Sequence, residues 1–350
     1  MQSVASFELQ VLLHFYRFVS NYEYNTKYNN NIRLIFYIDA KTYTCYTTFV
    51  ISGLKKHNHI YIFKEFGKIK ISSVGLIPNG KRCLQMNAAM IGDNCIDLYE
   101  RLKRKYPTGN AVDTGVNLQK LGISTSIIST TGNDENGRWM VSTLLKEGLD
   151  VSHLKVGNGP TAVTYMDMDG LDRVHGDYVE GVLKKIVFDD EDVDFAASHD
   201  LVHSALWGKA EKVLPKIRAR GPLVSFDYAD RLDHPLIEKT LPYVDYGFFS
   251  YHKARDLFIE SFLMDKVARG MKVAVATFGE KGSLAWDGRT FYEGGVFPAK
   301  VVNTVGAGDS FIAGFLCGVL NGDSVPGCLE RGARIAAQVV SVFEPWVDAK

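Results

Sequence analysis

Residues 303–311 read Asn-Thr-Val-Gly-Ala-Gly-Asp-Ser-Phe, and this stretch decides how the C-terminal part of the chain is predicted to fold. Gly306 and Gly308 can adopt backbone conformations that are closed to other residues. Apolar residues then recur at helical spacing, with Phe311, Phe315 and Val319 in one row and Ile312, Leu316 and Leu320 beside it. The glycine turn is therefore predicted to begin a helix, and the N–H groups and dipole of a first helical turn favour a bound phosphate.

Asp309 lies in the first turn of this predicted helix. A carboxylate beside an anion site would repel the ligand unless it had a task, and the natural task is to take a proton from a hydroxyl that attacks the phosphate. Asp309 is therefore the candidate general base of a phosphoryl transfer. The alternative is that Asp309 is a helix N-cap after an ordinary glycine loop.

The composition of the chain limits the classes of protein it can be. Its 350 residues carry a formal net charge of zero, which argues against a nucleic-acid-binding role for the whole chain. Five cysteines without a CxxC pair or other metal-ligand spacing indicate a reducing compartment and predict no metal site. No apolar run approaches the roughly 20 residues that cross a bilayer, and no signal peptide is recognisable at the start of the sequence. We therefore expect a cytoplasmic protein that binds neither membranes nor nucleic acid.

Residues 1–85 differ in composition from the rest of the chain. They are rich in Tyr, Asn, Lys, Ile and Phe, and carry 11 Lys and Arg against 4 acids, so that a charge of +7 is balanced by −7 in residues 86–350. Three interpretations are open: a disordered arm for acidic partners, a small β-rich module, or an upstream extension that is not part of the functional protein. Translated AT-rich non-coding DNA would have this composition. The third is favoured, because Met86 stands directly before the first well-patterned segment.

From Met86 onward, predicted strands and helices alternate. The predicted strands are 88–91, 126–129, 201–205, 223–227 and 273–277, and the predicted helices are 109–121, 139–149, 209–219 and 254–269. Such alternation is typical of a doubly wound, mostly parallel α/β sheet flanked by helices. We therefore predict one α/β domain over residues 86–350.

Residues 161–178 interrupt this alternation. Segments 161–168 (TAVTYMDM) and 173–178 (RVHGDY) alternate as two strands, and Asp169-Gly170 between them suits a tight turn. No helix follows that could cover this hairpin. It is either an edge hairpin of the main sheet or a flap over a ligand, and the presence of a candidate active site favours the flap.

Several separated segments resemble the ribokinase-like carbohydrate kinases of the PfkB family, over residues 91 to about 346. The run 304–311 is similar to the family's C-terminal signature, in which the aspartate is the catalytic base and the preceding amides form an anion hole. The resemblance implies that Asp309 deprotonates a sugar hydroxyl while the N–H groups of Gly306, Ala307 and Gly308 stabilise the migrating phosphoryl group. It also implies a ribokinase-like sheet with a small β-hairpin lid.

Two segments resemble the family's sugar-binding motifs. Thr108-Gly109-Asn110 is similar to its N-terminal Gly-Gly-Asn signature, with Thr108 in place of the first glycine. The resemblance implies that Gly109 and Asn110 contact sugar hydroxyls, and a structural helix cap is the alternative. Asp97, in IGDNCIDLY, corresponds to an acid just past the first strand that accepts hydrogen bonds from the sugar, and a solvated loop acid is the alternative there.

The segment 277–282 (TFGEKG) resembles the family's adenine-nucleotide loop, and neither the P-loop pattern nor G-x-G-x-x-G occurs. The implied ATP contacts are Thr277, Gly279, Gly282 and Gly308. Mg²⁺ is expected to arrive with the triphosphate. Two departures leave metal handling open, since residues 250–253 read Ser-Tyr-His-Lys where many members have Asn-x-x-Glu, and Asn303 stands where an Asp commonly serves near a monovalent cation.

Five segments resemble those of the family members that act on fructosamines, namely GDNCIDLY, DRVHGDYVEGV, HSALWG, SFDYAD and GAGDSFIAGFLCG. The implied reaction is ATP-dependent phosphorylation of the 6-hydroxyl of fructoselysine or a related fructosamine. Arg173 on the flap, with Asp177 or Glu180, is expected to pair with the carboxylate and amines of such a ligand, and solvated hairpin charges are the alternative.

The sequence also allows three alternative functions. Another PfkB-family sugar or nucleoside kinase would share Asp309 and differ at Asp97, Asn110 and the flap. A non-catalytic ligand sensor is disfavoured by the intact base and anion loop, and a nucleic-acid binder by the lack of clustered aromatic and basic residues in the globular part. A homodimer formed through the lid is also expected.

Overall fold

The computed structural model describes residues 86–169 and 172–347, and four strands nearer the N-terminus. The chain divides into two units, Met1–Cys83 and Leu84–Lys350. In the first unit, β1 (Asn31–Asp39) pairs antiparallel with β2 (Thr44–Ser52), and β3 (Lys64–Glu65) pairs antiparallel with β4 (Lys68–Ile69). Most of residues 1–85 lies outside the described residues, so the three interpretations of this extension stay open.

The second unit continues the predicted alternation, and every predicted strand and helix overlaps an observed element of the same type. Its strands are β5 (Asn87–Ile91), β6 (Cys95–Tyr99), β7 (Arg104–Thr108), β8 (Ser124–Gly132), β9 (Asp150–Gly157), β10 (Val163–Asp169), β11 (Asp172–Val179), β12 (Leu201–Ala205), β13 (Leu223–Asp227), β14 (Tyr246–Ser250), β15 (Val273–Thr277), β16 (Ser283–Trp286) and β17 (Phe291–Gly294). Its helices are α1 (Asn110–Lys120), α2 (Glu135–Lys146), α3 (Asp190–Ala197), α4 (Leu214–Arg218), α5 (Leu236–Thr240), α6 (Leu257–Ala268), α7 (Ala307–Asn321) and α8 (Val325–Val339). Among the helices in the described part of the chain, none combines the length and apolar character needed to span a membrane.

Nine strands of the described region form the main sheet, in the order β17-β16-β15-β14-β13-β12-β5-β8-β9. The strands from β15 to β9 are parallel to one another, and β16 and β17 add an antiparallel edge. A parallel sheet needs cover on both faces. Ala88 and Met90 of β5 pack in a core with α1, α2, α7 and α8, whereas Ala89 and Ile91 pack in a second core with α3 to α6. The predicted doubly wound α/β fold is confirmed.

Four strands form a separate sheet in the order β11-β10-β6-β7, called the lid sheet below. The predicted hairpin is β10 and β11, so it belongs to the lid sheet and not to an edge of the main sheet. Strands β6 and β7 enlarge the lid beyond the prediction, and β6 pairs parallel with β10. Pro107 weakens the strand signal of β7, but β7 is an edge strand, where proline is tolerated. Gly170, in the predicted turn Asp169-Gly170, and Leu171 after it lie outside the described residues.

The predicted helix 209–219 begins too early, because only Leu214–Arg218 is α-helical. Lys209 has a left-handed φ of 55°, which a right-handed helix does not allow, and Pro215 lies in the first turn of α4, a position where proline is tolerated. Lys209 Nζ instead lies 2.6 Å from Glu180 Oε1. This ion pair therefore links the residues before α4 to Glu180, in the segment that follows the lid hairpin.

Helix α7 packs closely against α8. A Cβ on Gly314 would lie 2.8 Å from the carbonyl oxygen of Arg331, and a Cβ on Gly318 would lie 2.8 Å from Sγ of Cys328. Both distances are shorter than van der Waals contact, so larger residues at these positions would push the two helices apart. This packing fixes α7, and with it the position of its N-terminus.

Candidate active site

The candidate site converges on Asn110, the first residue of α1. Its Nδ2 donates to Asp309 Oδ1 at 2.9 Å and to Asp227 Oδ2 at 3.3 Å. Its backbone N–H donates to Asp93 Oδ2 at 3.1 Å. Asp227 ends β13, Asp93 follows β5, and Asp309 lies in the first turn of α7, so the carboxyl ends of two parallel strands meet the N-termini of two helices. Ligands of open α/β sheets bind in such a crevice.

Gly109 allows α1 to approach this point. Its φ is 131°, and a Cβ on it would lie 2.8 Å from the carbonyl oxygen of Asp93 and 2.9 Å from Cα of Asn94. Any other residue would force the N-terminus of α1 away from Asp93. The structure therefore gives Gly109 a packing role, and its contact with a substrate stays a prediction.

Thr108, which departs from the family signature, has a specific partner. It ends β7, and its Oγ1 donates to Oδ2 of the buried Asp113 at 2.7 Å. Burial raises the pKa of Asp113 well above its ordinary value, and the charge of Asp309 raises it further. The hydroxyl of Thr108 therefore donates a hydrogen bond to Asp113 that a glycine at position 108 could not supply.

The turn before α7 is built around Gly306. Its φ is 70°, and a Cβ on it would lie 2.8 Å from Cβ and from the carbonyl oxygen of Pro345. The N–H of Ala307 donates to the Thr304 carbonyl at 3.3 Å, so it is partly used within the turn. Gly308 faces open space, since a Cβ there would meet no atom of the described residues within 4 Å. The space over the first turn of α7 is therefore accessible to a ligand.

Asn303 stabilises this turn. Its Oδ1 accepts the N–H of Val305 at 3.1 Å, and its Nδ2 donates to the carbonyl oxygen of Phe343 at 2.9 Å. The side chain is buried, so both polar ends of the amide are used inside the protein. Asn303 thereby links the segment before α7 to the segment after α8.

Burial sets the protonation of three carboxyl groups in the site. It raises the pKa of Asp309 to about 6, while the hydrogen bond from Asn110 and the charge of Arg173 lower it and the charge of Asp93 raises it. Burial also raises the pKa of Asp97 to about 7 and that of Asp227 to about 7, with a further increase from Asp309 in both. An aspartate whose pKa is about 6 is mostly ionised at neutral pH and still basic enough to accept a proton. Asp309 thus has the protonation behaviour that a general base requires.

Asp97 lies past the first strand of the main sheet, as predicted, and stands in the middle of β6 in the lid sheet. It is buried, with 6% of its surface exposed, which also excludes a solvated loop acid. It pairs across the sheet with Thr164 of β10. The charges of Asp309 and Arg173 both shift the pKa of Asp97, so the lid brings this carboxyl group close to the base.

One face of the lid hairpin is directed toward the site. The pairing passes from Thr164↔Tyr178 to Met166↔His175, so β11 contains one extra residue, a β-bulge. The bulge puts Tyr178 on the same face as His175 and Arg173. The charge of Arg173 lowers the pKa of both Asp97 and Asp309, in agreement with this direction. Tyr178 and His175 were not among the predicted site residues.

The other two predicted hairpin acids are placed differently. Oε1 of Glu180 lies 2.6 Å from Lys209 Nζ, so this carboxylate already has a partner in the protein. Asp177 is exposed and lies within the bulge. The structure therefore brings Arg173 to the site and leaves no clear contact there for Asp177 or Glu180.

The predicted nucleotide loop follows β15 directly. Thr277 ends the strand, and Gly279–Lys281 forms one 3₁₀ turn. Gly279 has a φ of 60° and Gly282 a φ of 92°, and a Cβ on Gly282 would collide with the carbonyl oxygen of Gly294. Glycine is therefore required at 282 for the backbone itself, and a Cβ on Gly279 would meet no atom of the described residues within 4 Å.

Residues 250–253 lie beside this loop. The N–H of Tyr251 donates to the carbonyl oxygen of Thr277 at 2.9 Å, and Ser250 Oγ lies 3.4 Å from Thr277 Oγ1. His252 Nε2 lies 3.4 Å from Oδ2 of Asp230. Asp230 thus supplies a carboxylate next to the segment in which the family's glutamate is missing.

Comparison with known proteins agrees with this geometry. A family model for the pfkB family carbohydrate kinases matches residues 89–345. The chain belongs to this family. It is 39% identical over 258 residues to fructoselysine 6-kinase of Escherichia coli (strain K12), covering 74% of this chain and 98% of that protein. It is 29% identical over 263 residues to fructosamine kinase FrlD of Bacillus subtilis (strain 168), covering 74% and 92%.

Solved structures show the same fold for this pfkB-family chain. Arabidopsis thaliana ribokinase, complexed with ribose and ATP, has a TM-score of 0.66 and 20% identity over 75% of this chain and 94% of its own. A ribokinase from Thermotoga maritima has a TM-score of 0.63 and 18% identity over 74% and 94%. The predicted ribokinase-like fold is confirmed. Membership of the pfkB family makes this chain an ATP-dependent carbohydrate kinase, with ATP, a divalent metal and a small sugar as its ligands.

Replacing Asn110 with Ala should move the acid limb of the pH–activity profile to higher pH. Asp309 must be ionised to accept a proton, so kcat/KM of the wild type should fall as the pH drops through about 6. Asn110 favours the ionised form, and a hydrogen bond to a charged group contributes about 1.5 kcal/mol, equivalent to about one pH unit. Without this bond, the limb should shift upward by up to about one unit in an ADP-release assay.

The control for this experiment is Asn133→Ala, which removes an exposed amide that bonds to Asn158. That change should leave the acid limb in place. An unchanged or lowered limb in Asn110→Ala would show that Asn110 does not control the protonation of the base.

Proposed function

We propose that the chain transfers the terminal phosphoryl group of ATP to the 6-hydroxyl of fructoselysine or a related fructosamine. The observation that carries this proposal is the meeting of Asp309, Asn110 and the N-terminus of α7, with Asp97 and Arg173 of the lid beside them. The identities to fructoselysine 6-kinase and to a fructosamine kinase support the choice of substrate within the family.

Asp309 is proposed as the general base. Its carboxylate takes the proton of the 6-hydroxyl, the 6-oxygen forms a bond to the γ-phosphorus, and the bond from that phosphorus to the β–γ bridging oxygen breaks, so that ADP leaves. The N–H groups of Gly306, Ala307 and Gly308 are proposed to stabilise negative charge on the transferred group. Mg²⁺, held chiefly by the triphosphate oxygens, neutralises phosphate charge when it is bound.

ATP is proposed to lie along the edge between the nucleotide loop and α7. Thr277, Gly279 and Gly282 would border the adenosine part, and Gly308 the phosphates, which is supported by the open space at Gly279 and Gly308. Asn303 uses both ends of its amide inside the protein, so we propose no monovalent cation at that side chain.

The sugar is proposed to lie between the lid and α1. Asp97 and Asn110, with the backbone at Gly109, would bind its hydroxyls, and Arg173 would bind the carboxylate of the attached amino acid. Closure of the lid over this sugar would exclude water, which otherwise competes as the phosphoryl acceptor.

The proposed kinase domain is residues 86–350, and residues 1–85 are proposed to be dispensable for the reaction. A cytoplasmic location is proposed as well, from the cysteine usage of the sequence.

Asp309→Asn should lower kcat for fructoselysine by about 100-fold or more, because the variant keeps the shape of the side chain and loses the proton acceptor. Turnover is measured as ADP release, with phosphorylation at the 6-position verified by NMR. Glu135→Gln is the control, since it neutralises an exposed acid in the first turn of α2. A variant with near-normal kcat would contradict the assignment of Asp309 as the base.

The proposal for residues 1–85 is tested with a chain that begins at Met86. An inactive chain would contradict that proposal.

Arg173→Ala should lower kcat/KM for fructoselysine by about tenfold or more, and that for fructose much less, because only the former carries a carboxylate. Arg101→Ala is the matched control, since it removes an exposed arginine of the β6–β7 turn that pairs with Asp167. Equal losses on both substrates would rule out a carboxylate contact at Arg173.

A homodimer through the lid is also proposed, and light scattering on the purified protein should give twice the monomer mass. The face of the lid hairpin opposite Arg173 exposes Tyr165, Val174 and Val179, of which 38%, 45% and 46% of the surface is accessible. Val174→Asp should shift the protein toward the monomer. A monomeric wild type at micromolar concentration would contradict the proposal.

A further inference from the structure

Asp227 has no role in the phosphoryl transfer described above, although it lies in the site. It is 8% exposed, its Oδ1 accepts the N–H of Ala229 at 2.9 Å, and its Oδ2 accepts from Asn110. Asp93 beside it is 7% exposed, and its Oδ1 is buried without a hydrogen-bond partner among the described residues. Besides Asp113, which accepts from Thr108, two nearly buried carboxyl groups therefore remain after the base and the hydroxyl-binding residues have been assigned.

Three negative charges act on Asp227. Burial is the largest cause of the raised pKa of Asp227; the charges of Asp309, Asp93 and Asp230 raise it further, and the N–H of Ala229 lowers it. The charge of Arg173 lowers the pKa of Asp97 and of Asp309. A buried carboxylate in such surroundings is stabilised by a cation. A neutral sugar hydroxyl can donate a hydrogen bond to it but cannot offset its charge.

Asp227 and Asp309 lie close enough together for one ketofuranose to reach both. One oxygen of each accepts from the same nitrogen, Nδ2 of Asn110, at 3.3 and 2.9 Å, so these two oxygens are at most about 6 Å apart. In a ketofuranose, the carbons that bear the C1 and C6 groups flank the ring oxygen. The C1 substituent and the 6-hydroxyl are therefore only a few bonds apart and can reach the two carboxylates together.

We propose that Asp227, with Asp93 beside it, binds the protonated amine nitrogen of a fructosamine held in its furanose form. The nitrogen is attached to C1, so it faces Asp227 while the 6-hydroxyl faces Asp309. The proposal rests on the proposed function, and it assigns to Asp227 the distinction between a fructosamine and fructose, which has a hydroxyl in place of the amine. It also places the amine at the end of β13 and not at the hairpin acids Asp177 and Glu180.

The test compares Asp227→Asn with the wild type on charged and neutral ligands. KM for fructoselysine should rise about tenfold or more in the variant, as expected for the loss of a charge-assisted hydrogen bond, while kcat falls much less. The competitive inhibition constant of fructose, measured against fructoselysine, should change far less than that KM. Equal changes for both ligands would overturn the proposal.

Two further readouts separate an amine site from other roles of Asp227. KM for MgATP should stay within about twofold of the wild type, and a selective rise in that KM would instead identify a metal or nucleotide contact. A selective loss of kcat would show that Asp227 acts on the base. Asp233→Asn is the matched control, because it removes an exposed acid of the same loop, and it should leave the ratio of the two ligands unchanged.

A measurement on the wild type keeps the proposal testable if Asp227→Asn does not fold. 1-Amino-1-deoxyfructose should inhibit competitively at a concentration about tenfold or more below that of fructose, because the two differ in the group at C1. Equal or weaker inhibition by the amine would overturn the proposal. Failure of the proposed function would appear separately, as a wild type that does not phosphorylate fructoselysine at all.

Discussion

The hydrogen bond between Asn110 and Asp309 is the interaction on which the rest of the site depends. It joins the first residue of α1 to the first turn of α7, and it opposes the burial that would otherwise protonate the base. A carboxylate can be buried in its charged form only with such support. The same amide also holds Asp227, so three structural elements keep a common geometry through one side chain.

The fold supplies the conditions for this bond. Parallel strands place their carboxyl ends at one edge, which brings Asp93 and Asp227 together although they lie far apart in the sequence. Two glycines permit the close approach of the helices, Gly109 against Asp93 and Gly306 against Pro345. The lid contributes the positive charge of Arg173, which offsets part of the negative charge that these elements concentrate.

The sequence was most informative for features that depend on neighbouring residues alone. The alternation of strands and helices, the glycine turn before α7 and the hairpin 161–178 were predictable, because periodicity and turn chemistry are local properties. Asp97 was identified as a candidate site residue, but its place in a strand of the lid was not predicted, since the pairing of β6 with β10 depends on contacts between distant segments. The role of Thr108 could not be predicted from its own position, because it depends on a buried partner at Asp113. Asp227 was visible in SFDYAD at the end of a predicted strand, and the rule that strand ends meet at one edge could have marked it.

The most direct test of the central claim is a crystal structure with fructoselysine and a non-hydrolysable ATP analogue. In that complex a carboxylate oxygen of Asp309 should lie about 2.6–3.2 Å from the 6-oxygen of the sugar, and the γ-phosphate should lie over the N–H of Gly308. A complex in which Asp309 points away from the 6-hydroxyl, or in which the phosphate lies elsewhere than the first turn of α7, would contradict it.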